Sequence, residues 1–121
     1  MRICVPCQFP GGPDGVVAAP FEESELLDYY EITEDGNFEH IAQTRQCMGG
    51  CSDPIENVTR REVRAIIVTG ISPNSLMRFS NSGIRIYRTD PGQVMSIIDS
   101  FISGVLEEIG IDQFAKLGKQ K

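Results

Sequence analysis

At 121 residues the chain has the length of one domain and can bury roughly two thirds of its unfolded surface, so folding requires no disulfide. Hydrophobic residues make up 40% and charged residues 23%, which excludes a disordered segment. The 17 Asp and Glu outnumber the 11 Lys and Arg to leave a net charge of -6, opposing the phosphate neutralisation on which nucleic-acid binding rests.

The opening residues, MRICVPC, run into prolines and glycines without the apolar stretch of a signal peptide or membrane span. A cytoplasmic protein with neither a nucleic-acid nor a membrane partner is the expectation. Residues 3–6 read as a short buried strand stopped by the loop QFPGGPDG. Residues 27–33, LDYYEIT, are aromatic and β-branched, and Asp35-Gly36 supplies the turn of a hairpin that returns over 38–44. Asp53, Pro54 and Glu56 then form a helix-start signal, predicting a helix over 54–62.

Residues 64–69, RAIIVT, carry consecutive β-branched apolar residues, as a strand covered on both faces does. Ser72-Pro73 opens a short helix that Gly83 closes, and a fifth strand follows over 84–88. The last helix is expected to start with Asp90 as cap, Pro91 at its first position and Gln93 completing a capping box. Val94, Ile97, Ile98, Phe101, Ile102, Val105, Leu106 and Ile109 recur on one helical face, and Gly110 ends it. A single α/β domain over 1–110 is therefore predicted, with residues 111–121 as a C-terminal tail. The order βββαβαβα packs most simply as a mixed five-stranded sheet with helices on its faces. Strand one, placed antiparallel to strand two and parallel to strand four, would bring the ends of strands one, three and four to one rim, where open α/β sheets bind ligands.

The cysteines matter because of that rim. Cys4 lies within strand one, Cys7 leaves it, and Cys47 and Cys51 bracket the loop CMGGC after strand three. Thiolates suit zinc, copper(I) and iron-sulfur clusters, and Gly49 and Gly50 let the backbone turn tightly enough for Cys47 and Cys51 to face one centre. Arg45 precedes the loop, Arg60, Arg61 and Arg64 follow it, and Asn74 and Ser75 bring helix-start amides to the same rim, all suited to an anionic cargo. Against this, Cys4 within a strand fits a small buried core residue, and the spacing departs from common zinc patterns. Unliganded thiols and a redox disulfide remain the alternatives. His40, the single histidine, reads as a solvated or hydrogen-bonded strand residue, Met48 as a spacer, and Glu22, Glu23 and Glu25 as solvated surface.

The segment 63–104, VRAIIVTGISPNSLMRFSNSGIRIYRTDPGQVMSIIDSFISG, resembles the C-terminal half of the dinitrogenase iron-molybdenum cofactor biosynthesis (NifX-like) family. The shared order is a buried strand, a G-I-x-P-N turn, a short helix, a G-I-x-I-Y-R strand and a long amphipathic helix; residues 1–6 and 27–44 fit the first half. The resemblance implies a ribonuclease-H-like fold and a non-catalytic carrier of metal-sulfur cluster precursors. Its cargo would be a metal or an iron-sulfur or iron-molybdenum-type cluster, with zinc as the alternative, and its partners metallocluster donor or acceptor proteins. Where the family often has a His-containing Gly-rich loop, this chain has CMGGC, and where it often has His-Phe-Gly, this chain has Phe21-Glu22-Glu23. A protein-interaction or regulatory domain of the same fold, with structural or redox-switch cysteines, is the other reading. Nuclease chemistry is not expected, because neither ICVP nor AIIVT carries the carboxylates that two-metal cleavage needs.

Overall fold

In the computed structural model, the structure describes residues 1–45 and 54–110. The five predicted strands are present as β1 (Arg2–Cys7), β3 (Leu26–Ile32), β4 (Phe38–Arg45), β5 (Ala65–Val68) and β6 (Arg85–Arg88). Two further short strands, β2 (Val16–Val17) and β7 (Gly92–Gln93), pair with each other, and β8 (Glu107–Ile109) adds an edge. The main sheet thus has six strands, in the order β4-β3-β1-β5-β6-β8, rather than five. As the sequence leads one to expect, β1 runs antiparallel to β3 and parallel to β5.

Helices α1 (Pro54–Arg60) and α2 (Pro73–Asn81) cover one face, and α3 (Val94–Ile102) covers the other. Strand alternation feeds both layers. Cys4, Leu27, Tyr29, Ile66 and Val68 pack with Ile55, Leu76 and Phe79 on the α1/α2 side. Ile3, Val5, Cys7, Leu26, Tyr30 and Ile67 pack with Val94, Ile97 and Ile98 on the α3 side. Burial on both faces explains the unbroken apolar run of β5. Among the described residues, no helix is long and apolar enough to cross a membrane.

The last helix is shorter at both ends than its apolar spacing suggests. At its start, Gly92-Gln93 joins the β2 ribbon, so the helix begins at Val94 with Gln93 as an extended cap whose side chain makes no capping bond. Its first amides are satisfied from outside: Val94 N–H donates to Gly15 C=O at 2.9 Å and Met95 N–H to Pro13 C=O at 3.0 Å. At its end, Gly104 adopts φ +75°, Gly104 N–H donates to Phe101 C=O, and Val105 N–H reaches back to Ser100 C=O. This paired-bond stop needs a left-handed residue, which glycine accepts without strain. The chain then reverses, so Glu107–Ile109 pairs with β6 instead of continuing a helix, and Val105 is 71% exposed.

Ile98→Ala should therefore cost about 2–5 kcal/mol, because it opens a cavity under α3, whereas Val105→Ala should stay within about 0.5 kcal/mol. Urea denaturation of the two variants checks this, and a large loss at Val105 would restore the longer helix.

Candidate functional site

The registers bring separate strand ends to one rim. Cys7, the last residue of β1, pairs with Leu26, which pairs in turn with Arg45, the last residue of β4. At the usual strand spacing, Cys7 and Arg45 lie about 10 Å apart on the same face. Strand β5 also ends there, because Ile3 and Cys4 pair in parallel with Ala65 and Ile66, and the chain passes through Gly70 into α2. Cys47, Met48, Gly49, Gly50 and Cys51 lie outside the described residues.

Alternation separates the two N-terminal thiols. Three residues apart on an extended strand, Cys4 and Cys7 fall on opposite faces: Cys4 in the α1/α2 core and Cys7 in the α3 core. The C-x2-C spacing therefore does not converge on one centre. Both thiols are free and fully buried. Burial pushes both well above the ordinary thiol range; for Cys7 the neighbouring Asp28 charge and hydrogen bond add to it.

Asp28 is the residue that sequence reasoning missed. It occupies the middle of β3 with no exposed surface, on the same face as Leu26 and Tyr30. Four donors reach its carboxyl group, and the His40 ring lies beside it. Gly12 N–H reaches Oδ2 at 2.6 Å, the Cys7 thiol donates to Oδ2 at 3.3 Å, and Tyr30 O–H is 3.5 Å from the same oxygen. Gln43 Nε2 donates to Oδ1 at 2.7 Å, and His40 Nε2 lies 3.3 Å from Oδ1. His40 also stacks on Tyr30, with ring centroids 4.9 Å apart, which sets its ring beside the buried Asp28 carboxyl group. The signal for Asp28 was an acid held between Leu27 and Tyr29 in an otherwise apolar, aromatic strand.

The other expected anion contacts divide. Arg45 is at the rim, its guanidinium 5.9 Å from the centroid of the Phe9 ring. Arg61 and Arg64 are at the opposite end of the sheet: Arg61 C=O accepts from Arg2, and Arg64 N–H donates to Arg2 C=O. That is about 17 Å along β1 from Cys7, so these two do not neutralise a charge at the rim. Arg60 instead pairs with Glu56 at 2.6 Å on the exposed side of α1, and Arg61 lies 4.7 Å over the Tyr29 ring. At the start of α2 the Ser75 amide donates to Ser72 Oγ, while the Glu22 carboxylate accepts from Ser72 N–H and Oγ. A carboxylate therefore already occupies that helix start beside Asn74 and Ser75, and Glu22 is docked rather than merely solvated. Among the described residues, no group of three or more His, Cys, Asp and Glu side chains is arranged to hold a metal ion. The described rim offers one thiol, Cys7, and its Asp28 partner.

Residues 1–104 match the family described as dinitrogenase iron-molybdenum cofactor, and the chain belongs to that family. Solved structures share the architecture. A candidate NifB protein from Thermotoga, assigned to the DUF35 family, is 26% identical with a TM-score of 0.69, covering 88% of this chain and 91% of its own. A candidate dinitrogenase from Methanocaldococcus jannaschii is 22% identical with a TM-score of 0.69, covering 90% and 94%. The apo form of the orange protein from Desulfovibrio gigas is 16% identical with a TM-score of 0.71, covering 89% and 92%. No curated protein matches the chain.

Two outcomes follow from the buried groups. A thiol whose folded-state pKa is raised stabilises the fold fully below its unfolded value, near pH 8.5, and that stability is lost as pH rises above it. The urea midpoint should therefore fall between pH 8 and pH 10, less steeply in Cys4→Ala, with Tyr29, pushed up to about 12 by burial, adding to the fall at the alkaline end. Asp28→Asn turns an amide donor toward other donors and should cost about 1–3 kcal/mol at neutral pH.

Proposed function

We propose that this chain is a non-catalytic carrier of a metal or metal-sulfur species, built on a ribonuclease-H-like scaffold. Cys47 and Cys51 are the primary ligands and Cys7 is the thiol contributed by the sheet. The observation that carries this reading is the row Cys7, Leu26, Arg45 across the ends of β1, β3 and β4. Cys47 follows Arg45 by two residues in the sequence. Gly49 and Gly50 give the intervening backbone the freedom to turn the two thiols together. Arg45 supplies positive charge beside an anionic cargo; Asn74 and Ser75 start α2 at the same end of the sheet but over its other face, where Glu22 already accepts from Ser72. Cys4, facing the other layer, serves the core.

The cargo, as substrate of the carrier, is a thiolate-seeking metal or an iron-sulfur or iron-molybdenum-type cluster, with zinc as the alternative. Donor and acceptor proteins of metallocluster assembly are the matching partners, and the cytoplasm is the matching compartment, where thiols stay reduced. Membership of the dinitrogenase iron-molybdenum cofactor family supports this class of work.

A second reading, a regulatory or interaction domain with structural or redox-switch cysteines, draws on one observation: the Cys7 thiol is buried and hydrogen-bonded to a carboxylate, a setting that opposes thiolate formation. The two readings part in one experiment. Protein purified without oxygen and reconstituted separately with zinc, ferrous iron plus sulfide, and tetrathiomolybdate should retain metal after desalting, and Cys47→Ser/Cys51→Ser should lose most of it. Equal retention by wild type and the double variant, or none by either, would falsify the carrier reading. Mass mapping under mild oxidant would then report a bridge to Cys51 if the thiols act as a switch.

A further inference from the structure

Beyond Cys7 the chain does not leave the sheet; it folds back across it. The loop 8–15 closes on itself through Gln8 N–H to Val16 C=O and Gly15 N–H to Gly12 C=O, both at 2.9 Å. One half of it is tied to α3, where Pro13 and Gly15 carbonyls accept the first helix amides. The other half rests on β3 and β4. Gly12 N–H donates to Asp28 Oδ2, and Gln43 Nε2 bridges Pro10 C=O at 3.2 Å and Asp28 Oδ1 at 2.7 Å.

The fit of this second half is tight. Gly11 has φ +75°, and a Cβ placed on it would stand 2.5 Å from Gln43 Nε2, 2.9 Å from Asp28 Oδ2 and 3.0 Å from Leu26 Cδ1. The Cys7 thiol shares Asp28 Oδ2 with Gly12 N–H and has no exposed surface. Outside, the ring of Phe9 is 62% exposed, with the Arg45 guanidinium 5.9 Å from its centroid, and Phe9 N–H donates to Glu25 Oε1 at 3.5 Å. The Gln43 bond to Pro10 is exposed and its bond to Asp28 half-buried, and segments held by exposed hydrogen bonds and few apolar contacts open before the rest of a fold does.

We propose that residues 9–12 form a strap latched by Asp28 and Gln43, and that lifting it gates the access of thiol-seeking species to Cys7. Pro13 and Gly15 stay bonded to α3 and act as the fixed end. The biological meaning of this gate rests on Cys7 belonging to the cargo site; the gate itself is measured without any metal.

The test compares two thiols of the same strand. In a Cys47→Ser/Cys51→Ser background only Cys4 and Cys7 remain, on opposite faces of the sheet. Folded protein is treated with iodoacetamide at one fixed pH, and the rate at each cysteine is read by mass mapping. Gly11→Ala, which clashes with the latch, and Gln43→Ala, which deletes it, should each speed Cys7 labelling by about tenfold or more while Cys4 stays at the background rate. Unchanged labelling at Cys7 in both variants overturns the gate. Equal acceleration at Cys4 and Cys7 also overturns it, because both thiols would then be reached through global unfolding. Failure of metal uptake by wild-type protein would refute the carrier reading and leave these rates untouched.

Discussion

Burying the carboxyl group of Asp28 is costly unless donors meet both of its oxygens, and most of the local architecture around Cys7 follows from that requirement. The donors come from β1, β3, β4 and the loop 8–15, so four separate stretches of chain are held to one point. The backbone amide of Gly12 and the amide of Gln43 make the short bonds; the thiol and phenol complete the shell at longer range, with the His40 imidazole beside it. Removing any strong donor would strand the acid, and removing the acid would strand the donors. This coupling lets a loop rich in glycine and proline adopt a defined path across a sheet end.

The same cluster decides what Cys7 is. Cys4 and Cys7 are alike in sequence context and equally buried, yet they sit in different chemistry. Cys4 faces Tyr29 and Ile66 in a hydrocarbon layer, where a thiol behaves as a small apolar side chain. Cys7 packs in the α3 layer, and its thiol also donates to the carboxylate that accepts from the loop amide of Gly12.

The two ends of the sheet are correspondingly different. The end carrying Cys7 and Arg45 gathers the loops, the start of α2 and the chain that leaves β4. The opposite end gathers Arg2, Arg61 and Arg64, tied to one another through backbone carbonyls and to Tyr29 by stacking. Positive charge that is close to the CMGGC segment in the chain is therefore mostly remote from the rim in space, and Arg45 is the exception.

Strand positions were legible because β-branched and aromatic runs bounded by Gly, Pro and Asp report directly on an extended chain. β1, β3, β4, β5 and β6 each fall within two residues of the expected bounds, and the family resemblance agreed with them. The C-terminal helix was misread because Val105, Leu106 and Ile109 continue a helical spacing, while the stop at Gly104 depends on its left-handed backbone and on pairing with β6. The rim was foreseen from topology; Asp28 was not, because an acid within a strand carries no sign of whether donors will surround it. Sequence alone determined the strands, the two-sided burial of β5 and the supply of thiols, since these depend on local residue type and spacing. Only the tertiary structure decided which face Cys4 and Cys7 occupy and that Asp28 ties Cys7 to the loop 8–15, since strand register and the meeting on Asp28 of the Gly12 amide and the Gln43 side chain, remote from each other in sequence, are set by packing rather than by local preference.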